Sequence, residues 1–156
     1  MGSGRTFGEA FAKALSAGGM ELPTGGRALL SVRKADRERA TAVARSLHAL
    51  GFELYATHGT TADITAAGVP CTGVNKVAEG RPHVVDMIKN DEINLIVNTT
   101  EGKQAIEDST EIRSAALLNK VAYSTTISGA EAICMAMQQS GVISVSTIKE
   151  LHESVN

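Results

Sequence analysis

Short apolar runs alternate with amphipathic segments along most of this chain. Five runs have the length and composition of buried strands, and they cover residues 28–32, 52–56, 70–74, 93–97 and 121–124. Between them, apolar residues recur at helical spacing, as in Ala40, Val43, Ala44 and Leu47. Helices are therefore predicted over 6–17, 36–50, 60–67, 83–89, 107–118 and 128–138. A final helix is predicted over 146–152, after an extended stretch at 143–145.

This order of elements indicates the fold class. Strands that alternate with helices of this size favour a mainly parallel sheet with helices on both faces. We predict a Rossmann-like three-layer α/β/α domain with about five strands. The strand at 70–74 begins with Pro70 and is expected near an edge of the sheet. Asp36 is predicted to cap the second helix, and Gly51 follows its end.

Composition excludes several function classes. The chain has 156 residues, 43% apolar and 21% charged, with a net charge of −2 and no basic block. Nucleic acid and acidic membranes need basic patches, so neither is expected as a partner. No apolar run approaches the roughly 20 residues of a membrane span, and no signal peptide is visible. Cys71 and Cys134 are lone cysteines, expected to be buried and reduced, as in a cytoplasmic protein.

Hydroxyl and amide side chains follow the predicted strands. Because ligands bind at the carboxyl ends of parallel strands, these residues are candidates for a site. The sharpest segment is Thr57 to Thr61, which joins a strand to a helix start where backbone N–H groups and the positive dipole end are available. Lys76 would add a full positive charge. The pattern predicts a phosphate site; the alternative is that these threonines only cap helices and turns.

Classical catalytic and nucleotide motifs are absent from the sequence. There is neither G-x-G-x-x-G after the first strand nor G-x-x-x-x-G-K-[ST], and the four histidines lack metal-ligand spacing. Asp108 is the best placed acid–base candidate, although an N-cap role is equally consistent with its position. His58 would either touch a ligand or set the backbone, and residues 81–83 would either line the cleft or form a helix-start turn. These features favour a binding module without catalytic or metal-binding residues.

Several segments resemble a known family. They are 4–14, 26–33, 52–60 (FELYATHGT), 74–83 (VNKVAEGRPH), 98–109 (NTTEGKQAIEDS) and 123–126 (YSTT). The first segment resembles the end of the synthetase domain that precedes the carboxy-terminal allosteric domain of carbamoyl-phosphate synthase large subunits. The other segments resemble, in order, that allosteric domain itself, which has the methylglyoxal synthase-like (MGS-like) fold. The resemblance implies that residues 26–156 form this domain. Residues 1–25 would then comprise a cloning scar, the tail of the preceding synthetase domain and a linker.

The resemblance also implies ligands and their contacts. UMP and IMP would bind through Ser31, Arg37, Thr57, Gly59, Thr60, Asn75, Lys76, Asn98, Thr100, Asp108 and Ile112. Ornithine would be contacted in part by Tyr123 and Thr125. The family pattern has lysine where this chain has Arg37, which leaves effector strength open because a guanidinium is not an ammonium.

The resemblance further implies the setting of this domain. The full subunit would be an ATP-dependent, glutamine-using ligase of pyrimidine and arginine synthesis. ATP, Mg²⁺ and K⁺ or Mn²⁺ would bind in its synthetase domains, whereas this domain would need no cofactor. Partners would be the synthetase core of the same subunit, a glutaminase small subunit and a second copy of the chain.

Two rival functions follow from the same residues. One is a methylglyoxal synthase-type lyase acting on dihydroxyacetone phosphate. That enzyme resembles residues 93–100 but has an Asp-Pro pair after the strand, where this chain has Thr99, Thr100, Glu101 and Gly102. Thr100 is unable to abstract a carbon-bound proton as a carboxylate does. The other is a docking domain that has lost its ligand.

Overall fold

A five-stranded sheet organises the molecule, with all its neighbouring strands parallel. The structure is a computed structural model, and it describes residues 1–101, 103–139 and 145–153. The strands are β1 (Gly26–Ser31), β2 (Phe52–Thr57), β3 (Thr72–Val74), β4 (Leu95–Asn98) and β5 (Ala122–Ser124), in the order β3-β2-β1-β4-β5. This arrangement confirms the predicted fold class.

The central strand β1 sets the register of the sheet. Leu30 lies opposite Ala56 of β2, and Ser31 lies opposite Asn98 of β4. The chain leaves β1 in one direction towards β2 and β3, and later returns on the other side to form β4 and β5. The carboxyl ends of β1, β2 and β4 therefore open onto a common crevice, the usual ligand position in such sheets.

Seven α-helices are present in the described residues. They are α1 (Phe7–Ala17), α2 (Arg37–Ala49), α3 (His58–Ala66), α4 (Val84–Lys89), α5 (Lys103–Leu118), α6 (Ile127–Gln139) and α7 (Ile148–Glu153). None of the helices in these ranges combines the length and apolar character that crossing a bilayer requires.

Side-chain alternation along the strands divides the interior into two cores. In β1, Ala28 and Leu30 join a core with residues of α2, α3 and α6, whereas Leu29 joins a second core with residues of α4 and α5. All three side chains are fully buried. Because both faces of the strand are buried, its residues form the continuous apolar run seen in the sequence.

Helix starts are the main difference between prediction and structure. The helix after β2 begins at His58 rather than at residue 60, and the helix after β4 begins at Lys103 rather than at residue 107. Asp108 therefore lies inside α5, and its interpretation as an N-cap is wrong; its side chain is outside the described part. The predicted extended stretch at 143–145 lies largely outside the described residues.

Two predictions about side chains need correction. Asp36 precedes α2 as predicted, but its carboxylate makes no cap hydrogen bond, because it binds Arg33 instead. Cys134 is buried, and burial raises the pKa of its thiol to about 11. Cys71 is only partly buried, because it precedes the short edge strand β3. Both cysteines are free thiols.

Helix α1 packs closely on α6. Gly8 is buried, and a Cβ atom there would lie 2.5 Å from the carbonyl oxygen of Met135. Phe11 and Leu15 lie against the core that α6 shares with β1. Thus the segment assigned by resemblance to a preceding domain is attached to this domain by direct helix–helix contact.

We predict that Gly8→Val destabilises the protein by about 1–3 kcal/mol, because overpacking at a close helix contact has that typical cost. Thermal or urea unfolding would measure the loss. Gly18→Ala is the matched control, since a Cβ atom there meets the nearest oxygens at 3.4 Å. Equal stability of both variants would show that α1 is not part of the folded unit.

Candidate functional site

A cleft of about 670 Å³ lies at the carboxyl ends of β1, β2 and β4. Its volume is in the range of small-molecule sites. The lining consists mainly of strand ends and the residues just after them: Ser31, Val32, Arg33, Lys34, Arg37, Thr57, Gly59, Lys76, Val77, Ala78, Glu79, Val84, Asn98, Thr99, Thr100, Glu101, Ser109 and Ile112. Segments far apart in the sequence thus meet at one edge of the sheet.

Most of the residues singled out in the sequence meet in this cleft. The lining includes Ser31, Arg37, Thr57, Gly59, Lys76, Asn98, Thr100 and Ile112. Thr60 and Asn75 are outside the lining, and the side chain of Asp108 is outside the described part. Tyr123 and Thr125 lie at the end of β5, beyond the cleft.

Thr60 is placed below the cleft floor. Its side chain is 1% exposed, and its hydroxyl accepts a hydrogen bond of 3.4 Å from the backbone N–H of Val32. It therefore ties the start of α3 to the end of β1. The sequence signal was ambiguous here because a hydroxyl at a helix start can face a ligand or a neighbouring strand.

The first turn of α3 opens onto the cleft without a side-chain cap. Thr57 precedes the helix but makes no cap hydrogen bond; its hydroxyl lies 3.5 Å from that of Ser31. The Thr61 hydroxyl donates back to the carbonyl of Ala56 at 2.7 Å. Neither threonine caps α3, although Thr61 does bond to the turn that precedes the helix, as the alternative interpretation expects. The N–H groups of the first turn remain available to an anion.

Arg37 lies directly over Gly59. A Cβ atom at residue 59 would overlap the guanidinium, so only glycine allows this approach. The guanidinium also pairs with Asp63 at 3.4 Å, and its buried Nε has no hydrogen-bond partner in the described part of the chain. One donor of Arg37 is thus unsatisfied at the edge of the cleft.

Lys76 lies on the cleft lining after β3, just before a short 3₁₀ turn, Val77–Glu79. Its backbone N–H donates to the carboxylate of Glu79 at 2.7 Å, whereas no ion pair or hydrogen bond of the Lys76 ammonium is found among the described residues. Asn75 turns away from the cleft: its amide lies 3.2 Å from the ring of His58 and 3.4 Å from the carbonyl of Gly80.

Arg33 and Asp36 form a charged pair that sequence reasoning missed. Arg33 Nε donates to the Asp36 carboxylate at 2.8 Å, and the backbone N–H of Arg33 donates to the Thr99 hydroxyl at 3.1 Å. The hydrogen bond from Arg33 holds the pKa of Asp36 below its usual value. The sequence contained a signal for this pair. Arg33 and Lys34 come shortly after the carboxyl end of β1, where charged side chains are candidates for the site.

Asn98 links the cleft to β5. Its side-chain amide donates to the hydroxyls of Ser109 and Tyr123, each at 3.2 Å. Asn98 is 4% exposed, whereas Thr125 is an exposed residue just after β5. The two residues assigned to ornithine by resemblance therefore differ: Tyr123 contacts a cleft residue, and Thr125 faces outward.

Other candidates from the sequence lie outside the lining. Residues 81–83 form the turn before α4, where the backbone N–H of His83 donates to Asp86 at 3.0 Å. This agrees with the helix-start interpretation. His58 is exposed. Across the described residues, no three or more histidine, cysteine or acidic side chains are grouped to hold a metal ion.

The charges of the lining suit an anion. Its cations are Arg33, Lys34, Arg37 and Lys76, and its carboxylates are Glu79 and Glu101. Two of the cations already pair with Asp36 and Asp63. A polar ligand with a phosphate would find uncapped N–H groups, an ammonium and several hydroxyls on adjacent strand ends.

Comparison with known proteins gives the family. The family model of the MGS-like domain matches residues 39–125. Carbamoyl phosphate synthase large chains of Pseudomonas putida, Halomonas eurihalina and Vibrio cholerae are 55%, 52% and 50% identical over 97%, 100% and 99% of this chain. The chain spans 14%, 15% and 14% of the lengths of those proteins. With more than half of its residues matched by the family model, the chain belongs to the MGS-like domain family.

Proposed function

We propose that this chain is the effector-binding module of a carbamoyl phosphate synthase large subunit, and that its cleft binds a nucleoside monophosphate such as UMP or IMP. The observation that carries the proposal is that one cleft lining holds both the uncapped first turn of α3 and the ammonium of Lys76, for which the described part of the chain offers no partner. An N-terminal helix turn and a cation are the usual elements of a phosphate site. The resemblance to large-chain sequences supplies the nucleotide class.

The remaining lining suits the rest of a nucleotide. Ser31, Asn98 and Thr100 offer hydroxyl and amide groups at adjacent strand ends, while Val77 and Ile112 add apolar surface. Hydroxyls and amides hydrogen-bond ribose and base edges, and apolar side chains cover the faces of a base. The module needs no cofactor of its own in this scheme.

The rest of the proposal concerns the whole protein. The large subunit would be an ATP-dependent ligase that makes carbamoyl phosphate, with ATP and its metal ions bound in the synthetase domains. UMP and IMP would shift its activity through contacts between this module and the synthetase core. A glutaminase small subunit and a second copy of the chain are the further partners, in the cytoplasm.

One prediction of this proposal concerns the phosphate. UMP or IMP should raise the melting temperature, since a ligand at 100 times its Kd stabilises the folded state by about 2.7 kcal/mol. Lys76→Ala should weaken UMP binding roughly 10- to 100-fold, as loss of a charge-assisted hydrogen bond does. Calorimetric titration would measure both affinities.

Lys89→Ala is the matched control for Lys76→Ala, because Lys89 is an exposed lysine at the end of α4, outside the cleft lining. It should bind UMP as the unaltered protein does. Normal UMP binding by Lys76→Ala would show that Lys76 does not contribute to UMP binding. A protein that responds to neither nucleotide would instead be the docking domain.

A second prediction concerns ornithine, whose two ammonium groups need opposing carboxylates when they are desolvated. Tyr123 and Thr125 offer only uncharged hydroxyls. We therefore expect no saturable heat with ornithine at millimolar concentration, while UMP gives one. The resemblance implies that the carboxylates of the ornithine site belong to the synthetase core. Saturable ornithine binding to this chain would contradict that placement.

One observation favours a second function, a lyase acting on dihydroxyacetone phosphate. The exposed carboxylate of Glu101 lies on the cleft lining just after β4 and is a candidate base. We expect no methylglyoxal from dihydroxyacetone phosphate, because water solvates an exposed carboxylate and competes with the substrate for it. A colorimetric assay would decide: product formation that is lost in Glu101→Gln would establish the lyase.

A further inference from the structure

The amide of Asn98 is held from behind by two hydroxyl groups. It lies at the end of β4, on the cleft lining, and is 4% exposed. Its Nδ2 donates to Ser109 of α5 and to Tyr123 of β5, each at 3.2 Å. An amide nitrogen carries only two N–H groups, so both donors of Asn98 are committed.

The remaining polar atom of this side chain is its carbonyl oxygen. Among the described residues, Asn98 Oδ1 has no hydrogen-bond partner. This oxygen is not completely shielded from solvent. Because Asn98 lines the cleft, this oxygen is the part of the amide that a ligand meets. In this orientation the side chain presents an acceptor and no donor to the cleft.

We propose that Tyr123 is a positioning residue for the cleft: together with Ser109, its hydroxyl fixes the Asn98 amide so that Oδ1 selects ligands carrying an N–H or O–H donor. This inference rests on the proposed nucleotide function. Without the Tyr123 hydroxyl, one N–H of Asn98 has no partner and the amide is free to turn that donor towards the cleft. The orientation of the acceptor is then lost.

The position of Asn98 indicates which part of the ligand it meets. Asn98 lies opposite Ser31 of β1, and β2 with Thr57 lies on the other side of β1. Two strand spacings amount to roughly 10 Å. A phosphate at the first turn of α3 is therefore out of reach, and the donor that Asn98 accepts belongs to the sugar or base.

The test compares two ligands and two tyrosines. Tyr123→Phe should weaken UMP binding roughly 3- to 10-fold, the usual effect of one neutral hydrogen bond. It should leave the thermal stabilisation by inorganic phosphate unchanged. Tyr55→Phe is the matched control, because Tyr55 is the other tyrosine of the chain and lies under Arg27, outside the cleft lining.

A double variant decides whether Tyr123 acts through Asn98. The UMP affinity of Asn98→Ala/Tyr123→Phe should equal that of Asn98→Ala alone, since the hydroxyl has no further effect once the amide is gone. The inference would be overturned if the losses of UMP affinity from the two substitutions were additive, or if Tyr123→Phe bound UMP with unchanged affinity. It would also be overturned if Tyr123→Phe weakened the binding of UMP and of phosphate equally. Absence of nucleotide binding by the unaltered protein would overturn the proposed function as well, so the two failures are distinguishable.

Discussion

The parallel pairing of β1 with both β2 and β4 is the constraint on which the rest of the structure depends. It directs three carboxyl ends to one edge and forces the connections to leave that edge in opposite directions. The crevice between those connections is the cleft. Because β1 is buried on both faces, its three central side chains serve two cores, and the geometry of the cleft is thereby tied to the stability of the whole domain.

The fold was predictable because its signals are local. Apolar runs locate the strands, and polar residues after them locate the site edge. What sequence reasoning missed depends on which neighbour a side chain reaches. Thr60 reaches Val32 and therefore lies below the cleft floor, although its position at a helix start suits a ligand contact equally well. The pairing of Arg33 with Asp36 removes the expected cap, because a charged donor competes with the N–H groups of α2.

The electrostatics of the cleft differ from a simple count of its basic residues. Arg33 and Arg37 each face a carboxylate, so their charges are partly offset before any ligand arrives. Lys34 and Lys76 have no such partner among the described residues. An incoming phosphate would therefore be attracted to these two ammonium groups and to the first turn of α3, while the two arginines shape the walls.

The close contact between Arg37 and Gly59 affects which substitutions are compatible at these two positions during evolution. The guanidinium occupies the volume that any side chain at residue 59 would need. Because the guanidinium is the far end of a flexible side chain, a Cβ atom at residue 59 would displace it at little cost, and the two positions are coupled through the placement of this charge. A chain with lysine at 37 has a slimmer, more mobile head group there, so exchange between lysine and arginine at this point alters how much substitution the neighbouring loop tolerates.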